Sequence, residues 1–268
     1  MSKTILITGA SSGLGKETAI LFQSKGWNVI ATMRNPKDET ELSKLDNIIL
    51  HELDVTNLEQ IKTLVGNVIE NNNIDVVFNN AGYGLMGALE AVSDEQIALQ
   101  INTNLLGAIR VTKAFIPYFR QKKAGLFITT TSIGGSLAFP LHSLYQATKF
   151  GLEGWSESMS FELSQYHIAI KTIAPGAIAT DFAGRSLDKS SHKAYQELED
   201  KLFGNIDTMM KEAATPKQIA EIVYEAATDG KDKIKYVAGA DANKMMNTRK
   251  DIGSEGFRKM IRKQFLGF

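Results

Sequence analysis

Seven short runs rich in Ile, Val, Leu and Phe recur along the chain, with segments of helical pattern between them. The runs do not alternate apolar with polar side chains, which indicates strands covered on both faces, as in a parallel sheet flanked by helices. The sequence therefore predicts an α/β fold built on a doubly wound, seven-stranded parallel sheet. The predicted strands are Thr4–Thr8, Asn28–Thr32, Ile48–Glu52, Asp75–Asn79, Leu126–Thr130, Ala169–Ala174 and Lys235–Ala238.

Three helix starts support this register. Thr56–Glu59 and Ser93–Gln96 have the form of a capping box, and Thr215 precedes a proline at the first helical position. A long helix is predicted to begin near Asp94, with Pro117 bending or ending it.

The length and the charge balance of the chain limit its expected domain number and partners. A chain of 268 residues suits one α/β domain, and residues 1–268 are predicted to form it. Thirty basic and thirty acidic side chains cancel, so no positive field attracts a polyanion over long range. Nucleic acid is therefore not an expected partner.

Cysteine is absent, which excludes disulfides, thiolate nucleophiles and thiolate metal sites. The four histidines are too scattered to form a helical pair of metal ligands, so no catalytic metal is expected. No run of about 18 apolar residues occurs, and the first residues enter a strand-like run at once. A cytoplasmic protein is the expectation, with a membrane not an expected partner.

A glycine-rich segment, Thr8–Gly15, follows the first predicted strand and opens the first predicted helix. At such a place, free backbone N–H groups and the positive end of the helix bind the pyrophosphate of a dinucleotide. The spacing G-x-x-x-G-x-G departs from the standard G-x-G-x-x-G fingerprint. A tight strand-to-helix connection is the alternative, and the strand–turn–helix context favours cofactor binding.

From this turn onward, the sequence resembles the short-chain dehydrogenase/reductase family. The resemblance spans residues 4 to about 182. After the glycine turn, the family's later motifs follow in order: Asn79–Gly82, Asn104–Gly107, Ser132, Tyr145–Lys149, and Pro175-Gly176 with Thr180. The resemblance implies a Rossmann-type sheet and an oxidoreductase that interconverts a secondary alcohol and a ketone or aldehyde. The run Tyr145–Gly154, together with Ala31–Arg34, resembles the branch that includes hydroxysteroid and retinol-type dehydrogenases.

Four residues form the catalytic set that the resemblance implies. In reduction, Tyr145 gives a proton to the carbonyl oxygen as the nicotinamide delivers hydride to the carbon, and the steps reverse in oxidation. Ser132 hydrogen-bonds the same oxygen, Lys149 binds the nicotinamide ribose, and Asn104 holds a water that links Lys149 to bulk solvent. The residues predicted to bind the cofactor are Gly9, Ser11, Ser12, Gly13, Leu14, Gly15, Arg34, Asp54, Val55, Asn80, Ala81, Gly82, Tyr145, Lys149, Pro175, Gly176, Ile178 and Thr180.

Three of these residues have structural alternatives. Ser132 has the alternative of a plain turn serine, Asn104 that of a surface residue on a helix, and Asp54 that of a cap for the next helix. The family spacing favours the catalytic interpretation of Ser132.

Two Tyr-x-x-x-Lys pairs occur in the chain. The helix carrying Tyr118 and Lys122 must finish at the edge of the sheet opposite the ligand crevice, so this pair is predicted to serve packing or the surface. Tyr145 and Lys149 lie early in the helix that leaves the fifth strand, on the edge of the glycine turn. They are predicted to share one helix face, where the ammonium, together with a nicotinamide cation, would lower the pKa of the phenol.

The end of the second strand bears on cofactor choice. Met33 stands where NAD-selective relatives carry Asp, and Arg34 can accept a 2′-phosphate, so NADP(H) is favoured over NAD(H). A solvated turn arginine is the alternative, and Ser12 stands where many NADP-using relatives carry a second basic residue.

Apolar residues in the predicted substrate lid and in the loops around the expected crevice suggest an apolar substrate. The alternative is that these residues serve ordinary packing. A substrate lid is predicted over about 177–211, and other loops flank the expected crevice. His142 is interpreted as a capping or packing residue. The apolar residues are Phe182, Leu187, Phe203, Met209 and Met210 in the lid, and Leu85, Met86, Leu137 and Phe139 outside it.

The C-terminal tail, 239–268, has seven basic and three acidic side chains, with Phe257, Met260, Ile261 and Phe265 at helical spacing. A helix packed on the domain or on a neighbouring subunit is preferred over one lying on a membrane. Relatives often pair through the helices after the fourth and fifth strands, which implies a homodimer or homotetramer.

The main alternative function is a catalytically silent sensor that binds the dinucleotide without turnover. The presence of all four catalytic residues favours the enzyme. A nucleotide-sugar epimerase or dehydratase is less favoured, because such relatives usually carry a longer substrate domain.

Overall fold

Parallel strands form the centre of the computed structural model, which describes residues 2–179, 187–204 and 213–267. In chain order the strands are β1 (Thr4–Thr8), β2 (Asn28–Met33), β3 (Ile48–Glu52), β4 (Val76–Asn79), β5 (Gly84–Met86), β6 (Gly125–Thr130), β7 (Ile168–Pro175), β8 (Leu187–Lys189) and β9 (Lys235–Ala238). Within the described residues, seven form one sheet in the order β3-β2-β1-β4-β6-β7-β9, while β5 pairs with β8. The predicted doubly wound sheet is confirmed, and each predicted strand is found to within one residue at either end.

Helices connect the strands and cover both faces of the sheet. They are α1 (Gly13–Ser24), α2 (Leu58–Asn71), α3 (Asp94–Ile101), α4 (Gly107–Lys122), α5 (Ser143–Ser164), α6 (Gln196–Phe203), α7 (Pro216–Thr228) and α8 (Ala240–Leu266). Short 3-10 turns lie at Pro36–Asp38, Leu42–Lys44, Leu89–Ala91, Ile133–Gly135 and Lys193–Tyr195.

Alternate side chains of the central strands enter two different cores. Ile5 and Ile7 of β1 pack with Phe22 of α1 on one face. Leu6, between them, packs with Phe115 of α4 on the other face. Because successive residues of a strand point to opposite faces, a run that is apolar at every position needs helices on both sides.

The parallel arrangement of the strands indicates which edge of the sheet can hold a ligand. Every neighbouring pair in the sheet is parallel, and β1 lies between β2 and β4, so the chain crosses over at β1. In such sheets the ligand crevice lies at the carboxyl ends of the strands where the strand order reverses.

Two of the predicted helix starts are found, and one is wrong. Ser93 and Thr215 each form a capping box, with Gln96 and Gln218 respectively. Asn57, rather than Thr56, caps α2, and its side chain accepts hydrogen bonds from the backbone N–H groups of Glu59 and Gln60. Thr56 is instead held by Asp54, whose Oδ1 accepts from the Thr56 backbone and hydroxyl.

The long helix predicted from Asp94 is not continuous. A π turn at Asn102–Leu106 separates α3 from α4, and Pro117 lies inside α4 without ending it. A π turn inserts one residue into the helical repeat, and the apolar periodicity of the sequence does not reveal that insertion.

The C-terminal helix α8 packs on the domain, as preferred from the sequence. Phe257, Ile261 and Phe265 are buried in a third apolar cluster that includes Met86 and Leu137. Met260 does not belong to the predicted apolar stripe, since it is 38% exposed. A kink at Gly253 divides the helix, and all four of these residues lie after it. Among the described helices, none has the length and apolar character needed to cross a membrane.

Candidate active site

The glycine turn after β1 is built by close backbone contacts. Gly9 has a φ of +68°, and a Cβ there would lie 2.8 Å from the Cα of Ala81. A Cβ at Gly15 would lie 2.2 Å from the Gly9 carbonyl oxygen. Ser12 precedes α1 without a side-chain capping bond, so the first N–H groups of the helix have no side-chain partner there. The turn therefore leaves an uncapped helix start beside a backbone that only glycine allows.

Asn80 connects the turn to the neighbouring strands. Its Nδ2 donates to the carbonyl oxygens of Thr8, at 3.2 Å, and Gly9, at 3.0 Å. Its Oδ1 accepts from the Thr130 hydroxyl at 3.1 Å. Asn80 thus joins the carboxyl ends of β1, β4 and β6, a structural role that the sequence motif alone did not indicate.

Asn104 lies in the π turn and is buried. Its Oδ1 accepts from the Tyr83 backbone N–H at 3.0 Å, and its Nδ2 donates to the Tyr83 carbonyl at 2.8 Å. The alternative of a surface residue is therefore wrong. Within the described residues, no hydrogen bond joins Asn104 to Lys149, so its part in a proton relay stays a prediction.

Ser132 follows β6 and begins the 3-10 turn at Ile133–Gly135. Its hydroxyl accepts from the Gly134 backbone N–H at 3.0 Å and lies 3.5 Å from the Pro175 carbonyl oxygen. The same side chain is a hydrogen-bond partner of the Tyr145 hydroxyl. Ser132 therefore has the turn contacts of the structural alternative and also meets the tyrosine.

Tyr145 and Lys149 share one face of the first turns of α5. The Lys149 Nζ lies 5.6 Å from the centroid of the Tyr145 ring. It donates to the Thr130 carbonyl oxygen at 2.8 Å. Lys149 is 6% exposed, whereas Tyr145 is half-buried. The sequence spacing therefore brings a buried ammonium group against a partly accessible phenol.

Burial dominates the electrostatics of this pair. It raises the pKa of Tyr145, and the hydrogen bond with Ser132 lowers that pKa by less. It also lowers the pKa of Lys149 to about 8, while the charge of Glu153 acts in the raising direction. Without a cofactor, desolvation of the phenolate decides the direction at Tyr145, and the lowering predicted from Lys149 together with a nicotinamide cation stays a prediction.

A cavity of about 750 Å³ opens at the carboxyl edge of the sheet. Gly15 lies behind its wall against Gly9, Asn104 is not on the wall, and Thr180 lies outside the described residues. The sequence-predicted residues that line the cavity are Gly9, Ser11, Ser12, Gly13, Leu14, Arg34, Asp54, Val55, Asn80, Ala81, Gly82, Ser132, Tyr145, Lys149, Pro175, Gly176 and Ile178.

One end of the cavity wall carries the residues predicted to select the cofactor. The Met33 side chain is buried, whereas Arg34 is exposed and, within the described residues, makes no hydrogen bond or ion pair. The Asp54 carboxylate lines the cavity while it holds Thr56. The guanidinium of Arg34 is thus available for an anion.

The predicted apolar flank of the crevice is largely wrong. Met86, Leu137 and Phe139 pack in the third apolar cluster under α8. The Nδ1 of His142 lies 2.6 Å from the Pro140 carbonyl oxygen, at the start of α5, which agrees with its interpretation as a packing or capping residue. Among the other predicted apolar residues, Leu187 lines the cavity and Leu85 does not. Phe182, Met209 and Met210, like the side chain of Phe203, lie outside the described residues.

Among the cavity residues that were not predicted, two have ionisable side chains. Tyr83 directly follows Gly82, and its place after the Asn-Asn-Ala-Gly motif was the available indication. Asp188 is brought to the cavity by the pairing of β5 with β8, which no local pattern predicts. Its Oδ2 accepts from the Gln96 side chain at 2.9 Å. Burial and the Asp188 charge raise the pKa of Tyr83.

Comparison with known proteins agrees with this geometry. A family model described as short chain dehydrogenase matches residues 3–191. This chain belongs to that family. An uncharacterized oxidoreductase of Schizosaccharomyces pombe is 38% identical over 233 residues, which cover 87% of this chain and 99% of the relative. The chain is therefore an oxidoreductase of the CH–OH class, which uses NAD or NADP and acts on small molecules.

Solved structures of the family share the fold. A short-chain dehydrogenase from Streptomyces avermitilis superposes with a TM-score of 0.84 at 28% identity, covering 93% of this chain and 92% of that one. The protein ElxO, solved with NADP bound, has a TM-score of 0.74 at 27% identity, covering 88% of this chain and 98% of ElxO. These likenesses confirm the Rossmann-type fold of this short-chain dehydrogenase.

Proposed function

We propose that this short-chain dehydrogenase interconverts a secondary alcohol and a ketone or aldehyde with NADP(H), using Tyr145 as the general acid and base. The observation that carries the proposal is the position of the Tyr145–Lys149 pair. It lies beside Ser132, on the wall of the same cavity that includes the glycine turn. The proposed dinucleotide site and the proposed proton donor thus share one cavity.

The residues present fit the cofactor. The space above Gly9 and the uncapped start of α1 suit a pyrophosphate, and the exposed Arg34 suits a 2′-phosphate. The neighbour ElxO binds NADP, which supports the same choice here. When bound, NADP(H) supplies or accepts the hydride.

The side chains of this chain handle the proton and the charge. In reduction, Tyr145 donates its proton to the substrate oxygen, and Ser132 donates a hydrogen bond to the same oxygen as negative charge develops there. The Lys149 ammonium, 5.6 Å from the Tyr145 ring centroid, favours the phenolate that remains. In oxidation, that phenolate accepts the proton.

The substrate we propose is an apolar alcohol or carbonyl compound. Leu187, Ile178 and Leu99 offer apolar surface in the cavity, and Tyr83 and Asp188 add polar groups beside them. Assembly as a homodimer or homotetramer is also proposed, supported by Phe150 and Phe161, which are 44% and 74% exposed on α5. Location in the cytoplasm stays a prediction.

The test is a turnover assay against the silent-sensor alternative. Purified protein is mixed with NADPH and a panel of apolar and polar ketones and aldehydes, and the absorbance of NADPH is followed. The proposal expects oxidation of NADPH with at least one apolar carbonyl compound. Tight binding of NADPH with no oxidation across the panel would favour the sensor.

A further inference from the structure

Glu153 lies one helical turn after Lys149 in α5, with its side chain 15% exposed. Its Oε1 accepts from the Thr131 hydroxyl at 2.5 Å, and its Oε2 accepts from the Thr172 hydroxyl at 3.3 Å. Thr131 directly follows β6, and Thr172 belongs to β7. The carboxylate is therefore held against two neighbouring strands of the sheet.

A third strand contributes a cation to this carboxylate. Lys235, in β9, has its Nζ 3.4 Å from the Glu153 Oε2 and also donates to the Ser136 hydroxyl. Glu153 thus has hydroxyl and ammonium partners from β7, β9 and the loop after β6. A carboxylate with this many fixed partners has little freedom to move.

Lys149 has no such direct partner for its charge. Its Nζ donates to a neutral carbonyl oxygen, and no ion pair includes it within the described residues. Burial lowers its pKa to about 8, and the negative charge of Glu153 acts against that loss. Within the part of the chain that the structure describes, the ionisable side chains in contact with Lys149 or Glu153 are Tyr145, on their own helix, and Lys235, across the sheet.

We propose that Glu153 is a positioning residue for the reaction. Its carboxylate, fixed by Thr131, Thr172 and Lys235, keeps the Lys149 ammonium charged beside Tyr145. This inference rests on the proposed function. A carboxylate that merely tied α5 to the sheet would give the same hydrogen bonds but would leave the ionisation of Lys149 unchanged when it is replaced by an amide.

Glu153→Gln removes the charge and keeps a side chain of the same size. Because the Lys149 proton is then lost at lower pH, the alkaline limb of the reductive kcat/KM profile is expected to move down by at least about 0.5 pH unit. Lys235→Gln removes the opposing cation, so the same limb is expected to move up. Glu153→Asp keeps the charge, so its alkaline limb is expected to lie close to that of the wild type.

A second measurement does not depend on turnover. In protein labelled with ¹³C-lysine, the Cε resonance of Lys149 is identified by its loss in Lys149→Arg and titrated in each variant. A midpoint lowered in Glu153→Gln and raised in Lys235→Gln supports the proposal, even if no ketone is reduced and the proposed function fails. Unchanged midpoints in the folded variants would overturn it, as would a rate loss equal at every pH. If Glu153→Gln does not fold, the sign of the shift in Lys235→Gln decides.

Discussion

The two Tyr-x-x-x-Lys pairs of this chain have similar internal geometry and different surroundings. The lysine Nζ lies 5.9 Å from the ring centroid in Tyr118–Lys122 and 5.6 Å in Tyr145–Lys149. Both pairs lie on helices that pack on the same face of the sheet. The spacing and the contact within each pair therefore do not separate a catalytic pair from a structural one.

The polar groups of the Tyr118–Lys122 pair form hydrogen bonds within the chain. The Tyr118 hydroxyl accepts from the Ile74 backbone N–H at 3.0 Å. The Lys122 Nζ contacts the Asp75 carboxylate at 2.8 Å and the Ile74 carbonyl at 2.7 Å. These partners enter β4 at the amino edge of the sheet, so the pair closes the start of a strand, as the sequence predicts.

The Tyr145–Lys149 pair meets the cavity instead. Both residues line it, and Lys149 has a carbonyl oxygen rather than a carboxylate as its direct partner. The comparison teaches that the edge of the sheet decides the role. At the amino edge, strand entry supplies partners for the pair, whereas at the carboxyl edge the pair faces a space large enough for a ligand.

The largest difference is expected between two single variants, one without the Tyr145 hydroxyl and the other without the Tyr118 hydroxyl. Tyr145→Phe should lower kcat by on the order of 10²–10⁴-fold with NADPH affinity nearly intact, because it removes the general acid. Tyr118→Phe should leave kcat within about twofold and cost about 1 kcal/mol of stability, because the Ile74 N–H loses its acceptor. Steady-state kinetics and urea unfolding measure both. Near-normal turnover in Tyr145→Phe would remove it from its proposed role.

A smaller effect tests the cofactor choice at Arg34, which lines the same cavity as the Tyr145–Lys149 pair. Arg34→Asp should raise the Kd for NADPH by on the order of 10–100-fold, because charge-assisted bonds to a phosphate contribute about 1.5–3 kcal/mol. The Kd for NADH should change much less. Fluorescence titration with each nucleotide measures this, and equal changes for the two nucleotides would overturn the choice of NADP(H).

The smallest effect separates the two lysines by stability. Lys149→Met should stabilise the fold at pH 7 by about 2 kcal/mol. The lowering of the Lys149 pKa from 10.5 to about 8 corresponds to about 3 kcal/mol of destabilisation that the variant removes. The loss of the hydrogen bond to the Thr130 carbonyl offsets about 1 kcal/mol of that gain. Lys122→Met should instead destabilise it by about 1 kcal/mol, since it removes the ion pair with Asp75.

The pH dependence of the Lys149→Met difference has a definite sign. The folded pKa of Lys149 lies below its unfolded value, so between about pH 8 and 10.5 the unfolded chain binds a proton that the native chain does not. Wild-type stability therefore rises with pH across this window relative to Lys149→Met, and the difference between them shrinks. Urea unfolding at pH 7 and pH 10 checks this, and a difference that grows with pH would contradict it.

The sequence predicted the strands and most of the candidate site because these depend on local patterns. Apolar runs locate the seven strands of the central sheet, and the glycine turn, Ser132 and the Tyr145–Lys149 spacing each lie within one short segment. The apolar flank was predicted less well. Met86 and Phe139 have the composition of pocket residues, and it is α8, more than a hundred residues later, that covers them.

The sequence by itself determined the order of strands and helices and the chemistry available at each strand end, since side-chain periodicity and backbone freedom act over a few residues. Tertiary structure alone decided that Asn104 turns inward on the Tyr83 backbone, that β8 brings Asp188 to the cavity and that β7 and β9 hold Glu153. Each of these contacts joins residues distant along the chain. They form because strands that end at one edge bring their side chains together, and no local pattern records which distant residue arrives there.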